Sequence, residues 1–312
     1  LIGMGLIPLQ ALVQLQMETT RAMNDVTLAY APYLVIWPVL VLSGGFLLLE
    51  KNHSLTSLPM IGVATVMLLA VVLFQSLFLR EKVNKEIEPA KPTYAFRMWI
   101  GISLILLIQR AFFVILDETD IIMVGSFLGP AAAGLYNAAA KTALWVSFVL
   151  EIVIMVAAPA FATLYAQGDM QSLQKLVSRV TIWIFWPSIF IGIGLLSFTE
   201  PVLSLFGKDF IAASLSLKVL VLGRLADALC GTVACLMVMT GHQNKSLPVF
   251  GCSALINLVL NAIAIPRFGI VGAAMTTTFT LFVWNIWLSI LVVKHLGVRP
   301  SIFYSLFARE NQ

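Results

Sequence analysis

Of 312 residues, 60% are hydrophobic and only 11% are charged, with a mean hydropathy of +0.97. A water-soluble domain is nearer roughly 45–50% apolar and 25% charged, so the composition excludes one and predicts an all-α polytopic membrane protein. The formal net charge of +4 is no nucleic-acid signal, because in such a chain its meaning depends on which connections hold it.

With about 20 apolar residues needed per crossing, the chain predicts nine helices, at approximately 2–17, 26–49, 57–79, 98–127, 134–163, 173–197, 211–240, 246–265 and 269–293. Leu1 lies inside an apolar run, with no Met start and no basic signal-peptide region, which predicts an internal start with something N-terminal to it. Pro59 and Pro248 fall near helix beginnings and Pro201 in a connection. Pro38, Pro159 and Pro187 lie within spans and are expected to kink them.

The longest polar stretch is REKVNKEIEPAKPTYAFR, 80–97, expected to link two halves and to present a solvated surface with some attraction to anionic lipid heads. Taking the connections in order, twelve basic residues fall in the odd-numbered ones, counting the tail as ninth, and three in the others. Basic residues favour the cytoplasmic side, so the linker and the C-terminal tail are expected there.

The remaining cations, Arg110, Lys141, Lys218 and Arg224, fall inside spans, as do Glu151 and Asp227, with Asp117, Glu118 and Asp120 inside or at an edge. Intramembrane ionisable groups are functional candidates. On a helix from 98 to 127, Asp117 falls about 20° and Asp120 about 80° from Arg110. This predicts a polar face turned into the bundle, with Lys141 and, one turn earlier, Asn137 as partners on the next span. The alternative ends that span at Leu116 and leaves 117–120 at the outer interface. Arg224 and Asp227, three apart, can pair on one face: either a self-neutralised pair or an arginine held ready for an anion. Lys218 can snorkel outward. Glu151 has no local partner and is either protonatable or held in a buried hydrogen bond.

Other chemistry finds little support. Cys230, Cys235 and Cys252 lie in apolar runs without metal spacing, and His53, His242 and His295 sit in or beside connections. No GxSxG, HExxH or P-loop is present, and the external loops are too short for a polymerase or ligase. Neither an enzyme nor a cofactor is expected.

Four segments carry a family resemblance. FVILDETDIIMVGSFLGPAAAGLYNAAAKTA (113–143), LFGKDFIAAS (205–214), MTGHQNK (239–245) and PRFGIVGAAMTT (266–277) resemble, in order, elements of the polysaccharide flippases of the MOP exporter superfamily. The resemblance implies two six-helix lobes around a central cavity that opens alternately to either side. Residues 1–79 would be the last three helices of an incomplete first lobe, 80–97 the linker, 98–297 a complete second lobe, and 298–312 a cytoplasmic tail. It also favours the inner position for 117–120.

The function so implied is movement of a lipid-diphosphate-linked oligosaccharide across the cytoplasmic membrane, for polysaccharide or O-antigen assembly, by alternating access. Arg110, Lys141 and Arg224 would attract the diphosphate. Asp117, Asp120 and Asp227 would hold those cations at rest or bind the H⁺ or Na⁺ that drives the cycle. Asn137 and Glu151 complete the expected pathway. Expected partners are membrane lipids, the lipid-linked substrate and a polysaccharide polymerase or glycosyltransferase complex, with no nucleic acid. A multidrug exporter of organic cations in the same superfamily, and a non-transporting scaffold of a glycan-assembly complex, are the alternatives.

Overall fold

The computed structural model describes residues 5–23, 25–52, 57–86 and 94–300. Residues 1–4, 24, 53–56 (with His53), 87–93 and 301–312 lie outside the described residues, and with them parts of the expected first span, linker and tail. The chain divides into two compact units, Leu1–Tyr94 and Ala95–Gln312.

The first unit holds α1 (Leu6–Ala22), α2 (Val26–Ala31), a five-residue π-helical segment (Pro32–Ile36), α3 (Trp37–Asn52) and α4 (Ser57–Glu86). Pro38 has no N–H for the carbonyl four residues back, and the irregularity expected there takes the form of that π segment. The Trp37 amide donates to Pro32 O, five residues back. Val13, Leu68 and Val72 form the core, with Tyr33 and Trp37 against it. Polar side chains close onto backbone: Gln75 Nε2 donates to Leu28 O at 3.1 Å and Trp37 Nε1 to Ala64 O at 3.2 Å. Hydrocarbon offers no alternative partner, which is why such groups pair internally. The expected linker does not begin at Arg80, since α4 continues as helix to Glu86.

The second unit holds α5 (Phe96–Leu128), α6 (Pro130–Ala166), α7 (Met170–Ser197), α8 (Thr199–Ser204), a 3₁₀ turn (Lys208–Ala213), α9 (Ser214–Cys230), α10 (Val233–Met239) and α11 (Gln243–Leu296). At 1.5 Å per residue α5 is about 50 Å long. It does not end at Leu116 but runs through the three acids to Gly129, whose φ of +90° stops it. Pro130 then opens α6, where a missing N–H costs nothing. α6 and α7 run through Pro159 and Pro187 respectively.

The seventh expected span, 211–240, is broken rather than continuous. Gly231, at φ +71°, ends α9, and α10 leaves at 45° to the helical stretch that ends at Cys230. α11 covers both last expected spans, as two arms either side of Gly269 (φ +62°, ψ −145°). Among the described residues six helices are long and apolar enough to cross a membrane, or seven counting that broken one.

Two apolar cores fill the unit. One gathers Phe161, Leu173, Ile184, Leu236, Phe250 and Leu288; the other gathers Val124, Tyr136, Leu203, Leu217 and Ile265. Beside the first of these cores the helices part around a polar space.

Candidate functional site

That space is a cavity of about 250 Å³ within the second unit, walled by α5, α6, α9, α10 and both arms of α11. Five of the sequence candidates line it: Arg110 and Asp117 from α5, Glu151 from α6, Arg224 and Asp227 from α9. Arg110, Asp117 and Glu151 are accessible, Arg224 is half-buried and Asp227 is buried. Asp117 lies within electrostatic reach of Arg224 and Arg110, and Glu151 within that of Asp227 and Arg224. The break at Gly231 and Thr232 forms part of the same wall.

Arg224 and Asp227 do not form the pair their spacing allows. Among the described residues neither arginine makes an ion pair or a side-chain hydrogen bond. Asp227 Oδ1 instead accepts from Asn285 Nδ2 at 2.9 Å, a partner from α11 that no local pattern could supply. Two wall groups carry unmet hydrogen-bonding capacity. Among the described residues Thr232 Oγ1 and Asn285 Oδ1 are buried without a protein partner, on side chains each 1% exposed. Native proteins rarely leave such groups idle, so the wall is built for water or a polar ligand. Phe113 and Trp284 supply apolar faces, meeting edge-on with ring centres 6.2 Å apart.

Asp120 belongs to a different arrangement. It sits about 60° round α5 from Asp117 and is 2% exposed. Its carboxylate accepts from Tyr136 Oη of α6 at 3.1 Å, from Asn261 Nδ2 of the first arm of α11 and from Thr277 Oγ1 of the second arm. Asn261 Nδ2 also donates to Asn257 Oδ1 at 3.1 Å. Among the described residues no cation pairs with Asp120. Two members of this shell or its extension, Thr277 and Asn257, also line the cavity, so the carboxylate stands one residue behind its wall.

The expectation of a single charge-paired cluster of Arg110, Asp117, Asp120 and Lys141 is therefore corrected. Lys141 is exposed and pairs with Glu118 at 3.4 Å, since burying an ammonium beside Asp120 would cost its hydration. Asn137 is half-buried and its Oδ1 has no partner among the described residues. Lys218 is exposed, as snorkelling predicts. Sequence reasoning passed over Tyr136, Thr232, Asn257, Asn261, Thr277, Trp284 and Asn285. The signal was there: an Asn pair four apart, and Thr277 and Asn285 eight apart, in otherwise apolar runs.

Comparison with known proteins bears on this arrangement. A family model described as MatE matches residues 106–263, half of the chain. The chain belongs to the MatE family. Within the match fall Arg110, Asp117, Asp120, Glu151, Arg224 and Asp227; Thr277, Trp284 and Asn285 lie beyond it. MatE places the chain in the MOP superfamily. An uncharacterized membrane protein of Methanocaldococcus jannaschii is 25% identical over 223 residues, 70% of this chain and 43% of that protein. The probable low-salt glycan biosynthesis flippase Agl15 of Haloferax volcanii is 23% identical over 168 residues, 53% of this chain and 35% of that protein. The chain thus spans less than half the length of these curated relatives. A crystal structure of the Vibrio cholerae MATE transporter VcmN, an aspartate-to-asparagine mutant, matches with a TM-score of 0.75 at 12% identity, over 91% of this chain and 66% of that one. At that identity the likeness is one of fold: this MatE chain is an all-helical, multi-pass membrane protein with the MATE transporter fold.

Proposed function

We propose that this MatE chain belongs to a flippase that moves a lipid-diphosphate-linked oligosaccharide from the cytoplasmic to the outer leaflet of the cytoplasmic membrane, by alternating access coupled to an ion gradient. The observation that carries this reading is the pair of guanidiniums, Arg110 and Arg224, that line a polar cavity and have no ion-pair or hydrogen-bond partner among the described residues. Planar guanidinium suits phosphate oxygens, and the Trp284 and Phe113 faces suit sugar rings. Similarity to a probable glycan biosynthesis flippase supports the same reading. The protein makes and breaks no bond in its cargo.

Asp120 is the position for the coupling ion. A buried carboxylate with no counter-charge needs a proton or a cation, and its ring of hydroxyl and amide groups suits either H⁺ or Na⁺. Thr277 and Asn257, shared with the cavity, give ion and cargo a common wall. The residue placement of the two lobes, with the linker and C-terminus on the cytoplasmic side, follows the basic-residue bias. Association with a polysaccharide polymerase or glycosyltransferase complex would deliver the substrate and take the product.

A second reading, export of organic cations, is favoured by a specific observation: three carboxylates and two arginines line the cavity. Deleting the gene and extracting the lipids separates the two. A flippase is expected to leave lipid-linked oligosaccharide accumulating on the inner leaflet; sensitivity to organic cations without such accumulation contradicts it. Neither phenotype would point to a scaffold.

A further inference from the structure

We infer that the cavity of the second unit binds its anionic ligand together with one proton, which is taken up by Glu151. The inference rests on the anion-binding reading above and adds how that anion is admitted. Two guanidiniums face three carboxylates across the cavity, so with every group ionised the walls carry one negative charge in excess. A doubly charged diphosphate diester adds to that excess. In a space with apolar faces, uncompensated like charges repel far more than in water. The site is nonetheless built for a polar ligand, because Thr232 and Asn285, each 1% exposed, line it with polar atoms that have no partner among the described residues. A proton delivered with the anion reconciles the two observations.

Position selects the acceptor. Asp227 already receives the Asn285 amide. The strongest charged neighbours of Asp117 are Arg224 and Arg110. The strongest charged neighbour of Glu151 is another carboxylate, Asp227, followed by Arg224, Asp117 and Arg110. Cys235 of α10 is the remaining titratable group on the wall, and α7 and α11 contribute no charged side chain to it. Among the described residues Glu151 has no hydrogen-bond donor of its own. When phosphate oxygens engage the guanidiniums, Glu151 is left facing Asp227 and Asp117 with the least compensation. It is also accessible, so a proton from cavity water reaches its carboxylate and forms the O–H bond there. Ligand release returns that proton to whichever side the cavity then faces.

The test uses the protein in lipid nanodiscs and two diphosphate diesters that do not themselves titrate near neutrality: a soluble nucleoside-diphosphate sugar and a prenyl-diphosphate-linked sugar. Calorimetry in buffers of different protonation enthalpy counts the protons. Binding of both probes is expected, because the shared diphosphate is what the guanidiniums hold, with about one proton taken up per ligand. Affinity then falls about tenfold per pH unit in the window where Glu151 is ionised when free. Glu151→Gln should abolish the uptake and the slope, and bind more tightly than wild type at alkaline pH. Glu118→Gln, whose carboxylate pairs with the exposed Lys141 and is not part of the cavity wall, should retain both. Binding that needs Arg110 and Arg224 but takes up no proton overturns this inference alone, as does uptake that survives Glu151→Gln or vanishes in Glu118→Gln. Binding that is indifferent to Arg110→Ala and Arg224→Ala overturns instead the anion-binding reading beneath it.

Discussion

Asp120 shows what a single residue does in this protein. Its carboxylate gathers donors from α6 and from both arms of α11, so it fastens three helical segments to α5. Asp120→Ala would leave Tyr136, Asn261 and Thr277 without their acceptor, and each orphaned buried donor costs about 1–3 kcal/mol. Allowing for relaxation, the expected loss is about 3 kcal/mol, read as a lowered unfolding midpoint in detergent. Asp120→Asn keeps an acceptor oxygen and should melt near wild type while losing ion-driven transport; an Asn variant that still transports against a gradient contradicts the coupling role. Asp25, in the turn before α2, is a simpler case. Its carboxylate caps Leu28 N–H at 3.0 Å and pairs with Lys82 Nζ at 2.6 Å. The Lys82 bond first, and the Leu28 amide next, hold its carboxyl below the ordinary 3.8. With the folded value below the unfolded one, the contribution is fully present above about pH 4 and fades as the pH falls through the folded value. Asp25→Ala should cost about 1–2 kcal/mol at neutral pH, and the difference from wild type should shrink in acid.

At the scale of elements, glycine decides where the long helices stop being helices. Gly269 turns the α11 run, and a side chain on Gly272 would come within 2.3 Å of Ala264 O. The two arms therefore meet backbone to backbone. Gly272→Ala should destabilise by about 3 kcal/mol, at the upper end of overpacking costs, and Gly269→Ala should add strain at a positive φ; near-wild-type melting of Gly272→Ala would contradict that packing. The helix-forming runs were legible in composition and spacing, because lipid forces every backbone group into a helix, and the family resemblance carried the fourth span through the acids. The break at Gly231 was not, since Gly within an apolar run is tolerated in membrane helices and gives no warning by itself. Nor was the Asp120 shell. Arg110 and Asp117 share a face that a helical wheel predicts, whereas Tyr136, Asn261 and Thr277 converge only once α6 and α11 pack against α5. Local spacing suggested Arg224 with Asp227; tertiary packing supplied Asn285 instead.

For the whole molecule, the proposed flippase cycle joins the charged cavity, the buried Asp120 carboxylate behind its wall and the MatE fold. On that reading ligand and ion would meet at Thr277 and Asn257, so that occupancy of one site would alter the other without a distant pathway. The broken α9–α10 element and the jointed α11 both border the cavity, and such joints are where helices rearrange during alternating access. The proposal makes a demand on the two arginines together: removing both should lower transport at least about tenfold, because each bidentate phosphate contact contributes about 1.5–3 kcal/mol. Reconstitution into proteoliposomes is the most direct measurement. A fluorescent lipid-diphosphate-linked oligosaccharide is placed in one leaflet, an H⁺ or Na⁺ gradient is imposed, and its appearance in the other leaflet is followed by a membrane-impermeant lectin. Gradient-dependent movement that the Arg110→Ala/Arg224→Ala double variant loses is expected of a flippase; movement of organic cations but not of the lipid-linked sugar would contradict that function.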